Sequence, residues 1–258
     1  MVTIKTTEEI ATLREGGKRL HRILHTVGAA CHAGVSTADL NDLADRLAHE
    51  TGDASSILGY RPKGAERPYP ASICISINDE VVHGIPNEHP KILKDGDIVS
   101  LDMCLTHDKL ITDSAITVIV GENTDAKKQK LLDVTKEALM AGIKAAKGGN
   151  TIGDIGYAIE RVARAAGYGV VEDLCGHGVG YKVHEDPFVP NFGEKGEGLK
   201  LKPGMVLAIE PMFTTGGKDV VLERDGYTYR TEDGSLAAHF EHTVVITKGN
   251  AEILTAGQ

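Results

Sequence analysis

The chain repeats itself. Ser36-Thr37-Ala38-Asp39-Leu40-Asn41-Asp42-Leu43-Ala44-Asp45-Arg46-Leu47 is matched by Thr151-Ile152-Gly153-Asp154-Ile155-Gly156-Tyr157-Ala158-Ile159-Glu160-Arg161-Val162, at an offset of 115 residues that also carries Gly52 onto Gly167. A duplication on this scale limits the fold to two similar halves. Both stretches open on a Ser/Thr-x-x-Asp capping signal, hold apolar residues at helical spacing and stop near a glycine, so each is an amphipathic helix. The segments upstream, Glu8 to Ala33 and Ala126 to Lys147, also read as helices, the first opening on a Thr6-x-x-Glu9 box. Each half therefore supplies a helix pair.

The strand-like parts repeat as well. Leu93 to Met103 matches Leu201 to Met212 and sets Asp102 on Glu210, while Asp113 to Gly121 matches Glu241 to Gly249 and sets Asp113 on Glu241. His83-Gly84 and His177-Gly178 correspond, each ahead of its half's first carboxylate strand. One histidine and two acids thus recur per half.

These acids stand in or beside apolar runs rich in β-branched residues, such as Ile98-Val99-Ser100-Leu101-Asp102 and Met205-Val206-Leu207-Ala208-Ile209-Glu210. A carboxylate left ionised and alone in such a strand costs several kcal/mol, so it must be paired, protonated or bound to a cation. One such acid is readily a strand-edge residue facing water; four, repeated pairwise and short of basic neighbours, point to a shared cation. Pseudo-twofold symmetry would bring the two sets together at the centre. Four carboxylates and one imidazole suit two divalent ions better than one structural zinc, and oxygen and nitrogen ligands without thiolate favour Mn, Fe, Co or Zn.

Most of the other histidines read as structural or surface groups. His21 and His25 lie four apart on a helix without an accompanying H-E-x-x-H pattern, and His32, His49, His89 and His107 sit in polar surroundings. His177, in Gly176-His177-Gly178-Val179-Gly180, is different, because the glycines let the backbone turn tightly beside another group. The same run is no dinucleotide fingerprint, since its spacing is G-x-G-x-G and no acid follows at the required distance.

Composition narrows the class further. The 258 residues are 41% hydrophobic, enough for a sizeable core, and Lys+Arg 28 against Asp+Glu 37 gives a formal charge of −9, which disfavours nucleic acid and anionic membranes as partners. Cys31, Cys74, Cys104 and Cys175 form no C-x-x-C pair, and no apolar run approaches a membrane span. A soluble, cytoplasmic protein is expected.

Taken in order, Asn78-Asp79-Glu80-Val81-Val82-His83-Gly84-Ile85-Pro86, Asp102 with Asp113 eleven residues on, Gly176-His177-Gly178-Val179-Gly180, His184-Glu185-Asp186-Pro187, Ile209-Glu210-Pro211-Met212 and Phe240-Glu241-His242-Thr243 resemble the motif series of type I methionine aminopeptidases. The resemblance spans nearly the whole chain and is to the bacterial form, without the zinc-binding N-terminal extension of some eukaryotic members. It implies an α/β (α+β) pita-bread fold, with two pseudosymmetric halves, each a helix pair and antiparallel strands, around a central metal site. Residues 1–258 are expected to form a single catalytic domain, with halves at about 6–121 and 124–249.

Carried over by position, the resemblance implies two divalent metal ions (Co, Mn, Fe, Zn or Ni). Asp102 would chelate one, Asp113 and Glu241 bridge both, and His177 and Glu210 hold the other. It implies hydrolysis by metal hydroxide, with Glu210 shuttling a proton and His83 and His184 contacting substrate around the scissile peptide. The substrate would be the N-terminal peptide of nascent proteins, with the ribosome as partner and the enzyme a monomer.

A side-chain pocket is implied near Tyr60, Tyr69, Cys74, Val183 and Tyr227, with Ile57 close by. Here the sequence departs from many bacterial relatives. Ile57, Val183 and Tyr227 stand where Cys, Phe and Trp are usual, extra residues within Arg61 to Pro68 separate the two tyrosines, Cys104 replaces a hydroxyl residue and Thr112 replaces a glycine. The rival readings are an Xaa-Pro aminopeptidase or prolidase of the same fold, which also fits Val183-His184-Glu185-Asp186-Pro187, and a pita-bread protein that binds without catalysis.

Overall fold

In a computed structural model the structure describes residues 2–122 and 125–257. Four long helices form: α1 (Thr7–Ala29), α2 (Thr37–Glu50), α3 (Ala126–Ala145) and α4 (Ile152–Ala166). The strands of the first half are β1 (Ala54–Ser55), β2 (Cys74–Ile77), β3 (Glu80–Val82), β4 (Ile98–His107) and β5 (Leu110–Ile119). Those of the second are β6 (Gly169–Val170), β7 (Cys175–Gly178), β8 (Glu185–Pro190), β9 (Val206–Ile209), β10 (Met212–Thr214), β11 (Val220–Leu222), β12 (Tyr229–Thr231), β13 (Ala237–His239), β14 (Glu241–Val245) and β15 (Glu252–Ile253).

The helices begin where local chemistry starts them. Thr6 with Glu9 and Thr151 with Asp154 form reciprocal capping boxes, while Ser36 caps α2 through one bond from the Ala38 N–H. Their ends are less local. The helix expected to run to Ala33 stops at Ala29, and the chain turns through Gly34, at φ +90°, to reach the Ser36 cap. Helix α3 ends at Ala145, two residues short of Lys147, whereas Gly167 in the left-handed conformation closes α4 as the sequence signals.

The main sheet runs in the order β1-β4-β5-β14-β9-β7-β8, with β2 on β4 and β15 on β14. It joins the halves through the antiparallel pair β5 and β14. One face is covered by helices. Val99, Leu101, Met103 and Leu105 of β4 bury against Leu20, Ile23, Leu24 and Val27 of α1, and Leu207 and Ile209 join Leu139, Ile143, Ile155 and Ile159 of α3 and α4. Each such side chain contributes about 1.5–3 kcal/mol on burial. Gly17 lets the chain at Leu254 press against α1, since a Cβ there would lie 2.2 Å from the Leu254 carbonyl oxygen.

Strand register then decides what the opposite face carries. Asp102 pairs with Ala115, Cys104 with Asp113, Glu241 with Ala115, His242 with Ile209 and His177 with Ala208. Directly paired residues, and residues two apart on one strand, share a face. Asp102, Asp113, Glu241 and His177 therefore all project from the side away from the helices, and Glu210, directly after β9, continues the row from Ala208. Among the described residues no helix is long and apolar enough to cross a membrane.

Candidate metal centre

Four neighbouring strands and the end of a fifth each deliver one side chain to this face. Asp113, His177 and Glu241 are buried and offer ligand atoms that all lie within 4.8 Å of one another, among the described residues the one such grouping of three or more. Asp102 and Glu210 line the same cavity, of about 530 Å³. The His177 Nε2 stands 3.8 Å from Asp113 Oδ2 and 3.5 Å from Glu210 Oε1. Its Nδ1 lies 3.0 Å from the Gly178 carbonyl oxygen, which assigns the proton to Nδ1 and leaves the Nε2 lone pair toward the acids. The flanking glycines let the neighbouring strands approach β7 closely: a Cβ at Gly176 would lie 2.3 Å from the Ala208 carbonyl oxygen, and one at Gly178 2.3 Å from that of Asp186.

The acids lack the cations that buried carboxylates normally find. Asp113 Oδ1 and Glu241 Oε1 are buried with no hydrogen-bond partner among the described residues. By contrast, Asp53 is held by Arg19 and His107, Glu80 by Lys91 and Arg230, and Glu185 by Lys5. Burial, reinforced by the neighbouring Asp113 charge, pushes Asp102, Glu210 and Glu241 well above the usual carboxylate range, and burial pushes Asp113 up to about 6. Desolvation holds His177 down to about 3. Orphaned acceptors around a neutral imidazole with an available lone pair are the donor set of a divalent cation, and the residues fit that group.

This has a consequence for stability. In protein stripped of divalent ions, the folded acids retain protons that the unfolded chain has released, so their contribution falls as pH rises. The buried His83, His177, His239 and His242, held to about 4, 3, 3 and 4, act oppositely, but only below the unfolded imidazole value of about 6.5. From about pH 6.5 to 8, below the thiol range, the histidines have dropped out and the raised acids set the sign of the dependence. The melting temperature of chelator-treated protein should fall across that interval, and that of ion-loaded protein should stay level. Parallel curves would mean that these acids do not hold the ion.

The residues expected to contact substrate come together at the same cavity. His83 follows β3 at φ +60°, a conformation that few non-glycine residues adopt, clamped by Gly84, whose N–H donates to Ser76 Oγ at 3.1 Å and whose oxygen accepts from the Ile75 N–H at 2.9 Å. His184 is exposed at the mouth, 2.9 Å through Nδ1 from the Tyr60 hydroxyl, its ring 4.5 Å from that of His177. Ile57, Tyr69, Cys74, Cys104, Val183 and Tyr227 form one buried cluster with Tyr60 packed against it. The 61–68 segment is tied into this wall: the Tyr69 N–H bonds Tyr60 O at 2.8 Å, the Tyr227 hydroxyl donates to Arg67 O, and the Arg67 guanidinium pairs with Glu88.

Cys104 and Thr112 part company. The Cys104 thiol donates to Asp113 Oδ2 at 2.8 Å, in direct touch with the metal centre. Thr112 points to the other face, toward Gly16 of α1. His107, read as structural, pairs with Asp53 at 2.8 Å. Sequence reasoning missed His239, fully buried and 3.7 Å through Nε2 from Glu210 Oε2. Its position two residues ahead of Glu241 was the available signal.

Comparisons with known proteins give the family and the fold. The model of metallopeptidase family M24 matches residues 11–248. A methionine aminopeptidase of Aquifex aeolicus is 45% identical over 258 residues, covering 98% of each chain. The crystal structure of a methionine aminopeptidase from Thermotoga maritima superposes with a TM-score of 0.93 at 41% identity, over 99% of both chains. A prolidase from Pyrococcus furiosus superposes with a TM-score of 0.76 at 24% identity, over 99% of this chain and 66% of that one, and shares the fold alone. That fold is the pita-bread arrangement, two pseudosymmetric halves of helix pairs and antiparallel strands.

Proposed function

The chain belongs to metallopeptidase family M24, and from that premise we propose how it works as a methionine aminopeptidase. It is a metal-dependent hydrolase that removes N-terminal methionine. The observation that carries the reading is one sheet face on which Asp102, Asp113, His177, Glu210 and Glu241 converge beside a mostly apolar slot. Two divalent ions would be held there, one by Asp102 and the other by His177 and Glu210, with Asp113 and Glu241 shared between them. Divalent ions at such a site supply Lewis acidity for the scissile carbonyl and acidify water into the nucleophilic range.

The chain's own groups do the rest. The apolar wall of Ile57, Tyr69, Cys74, Val183 and Tyr227 takes the thioether side chain and excludes water. His83 and His184 hold the peptide about the scissile bond, the Tyr60 hydroxyl fixing the His184 ring. Glu210, directly after β9 and lining the same cavity, carries a proton toward the leaving amine. Residues 1–258 act as one catalytic domain on the N-terminal peptides of nascent chains in the cytoplasm, as a monomer at the ribosome.

Hydrolysis of a peptide set X-Ala-Ser, with Ala-Pro-Ala included, by protein stripped of metal and reloaded separately with Mn, Fe, Co, Ni or Zn tests this. Metal-dependent release of methionine is expected. Preferential cleavage of the proline peptide, or no hydrolysis with any ion, would overturn the assignment.

A further inference from the structure

One buried polar side chain stands outside the scheme above. His239 closes β13 at 1% exposure, and neither ring nitrogen has a hydrogen-bond partner among the described residues. A neutral imidazole carries one N–H, and burying a donor unsatisfied costs about 1–3 kcal/mol, so native structures rarely leave one so. The acceptor that stands within reach is a carboxylate: His239 Nε2 lies 3.7 Å from Glu210 Oε2, about 0.8 Å beyond an ordinary N–H···O bond.

The ring is held in place by the scaffold, independently of any ion. The His239 N–H donates to Thr117 Oγ1 at 3.1 Å, its carbonyl accepts from the same hydroxyl at 2.5 Å, and its backbone pairs with Met212 of β10, two residues beyond Glu210. Glu210 is fixed at its backbone, where Asn191 Nδ2 donates to its carbonyl oxygen at 3.0 Å. Its two carboxylate oxygens are divided between two imidazoles, Oε1 toward His177 Nε2 at 3.5 Å and Oε2 toward His239 Nε2.

We propose that His239 is a positioning residue for Glu210, donating its Nε2–H to Oε2 and thereby selecting the carboxylate orientation in which Oε1 faces the metal centre. The inference rests on the part assigned to Glu210 above. Between the two ring nitrogens only Nε2 has this acceptor beside it, so the proton belongs there, and Nδ1 is left as the acceptor, the cheaper group to leave unpaired. A sub-ångström closure then completes the bond when the carboxylate is drawn into ligation. Partners that orient a ligand in this way are worth about 10–100-fold in metal affinity or activity.

The test uses full-length protein, with ion affinity read by titration calorimetry beside steady-state kinetics. His239→Leu, which keeps the bulk and removes the donor, is expected to lower kcat and ion affinity by about 10–100-fold each while KM for a methionyl peptide moves less than about twofold. His239→Gln, which returns an N–H, should recover most of both. In a Glu210→Gln background His239→Leu should cost no further ion affinity. A His239→Leu enzyme with wild-type kcat and ion affinity would overturn the proposal. So would equal impairment of the Leu and Gln variants, because the ring would then serve packing alone. Glu210→Gln at the wild-type rate would remove the proton-carrying part of Glu210, while the calorimetric coupling would still decide the pairing.

Discussion

Glu241→Ala is expected to leave less than about one thousandth of the wild-type kcat/KM, a loss of at least about 4 kcal/mol of transition-state stabilisation, and to reduce the bound divalent ions from the proposed two per chain to one or none. The reason lies in how little else holds this acid. Its Oε1 is buried with no partner among the described residues, and the groups around it are further acids and the neutral His177. A carboxylate so placed gains its favourable interaction from a cation. Its backbone, by contrast, is tied independently: Ser114 Oγ donates to the Glu241 carbonyl at 2.8 Å, and β14 pairs with both β5 and β9. The fold should therefore survive the substitution. Ion content by elemental analysis and thermal melting separate the outcomes, and an Ala variant with two ions and wild-type rate would disprove the bridging role. Glu80→Ala is the control, because that buried acid is held by Lys91 and Arg230 and its loss should cost stability without removing ions.

The repeat made the acids legible because a strand keeps its faces in order. Asp102 and Asp113 are eleven residues apart across a two-residue turn, and the pairing of Cys104 with Asp113 puts both on one side of the sheet. Helix starts were equally legible, since the caps at Thr6, Ser36 and Thr151 act within three residues. The end of α1 was not, because Ala30, in the right-handed conformation, caps it, and the first glycine after it, Gly34, comes only at the turn toward Ser36. Nor was the junction of the halves, where β5 meets β14 over a separation that no local pattern encodes.

The pocket wall was foreseen through resemblance, yet its construction was hidden. The Tyr227 hydroxyl reaches the backbone of Arg67 across 160 residues of sequence, and the 61–68 segment owes its shape to that contact and to Glu88. Cys104 and Thr112 looked equivalent in sequence, two departures beside two ligands. Parity separates them, since residue 104 shares a face with Asp102 whereas residue 112 is one step from Asp113 and faces α1. The thiol is thus the departure that bears on the metal centre. The same count from Glu241 reaches His239, which the motif series passes over.

His83→Ala should lower kcat by about 10²–10³-fold and leave the ion content of the protein unchanged. His83 lines the cavity with the four acids and the one imidazole of the candidate centre. Desolvation holds its pKa down to about 4, so the ring is neutral at working pH and acts by hydrogen bonding, with no charge to lose as pH rises. That predicts a deficit of constant size from about pH 6 to 8, in both kcat and kcat/KM. The strained backbone sharpens the expectation. A φ of +60° at a non-glycine residue costs of order 1–3 kcal/mol, and the Gly84 clamp that maintains it, with a would-be Cβ 2.2 Å from the Ile75 carbonyl oxygen, serves to aim this one ring into the cavity. Alanine keeps the strained backbone and removes the ring, so stability should change little while turnover collapses. Loss of bound ion in that variant would make His83 a ligand; a wild-type rate would leave the strain without a purpose.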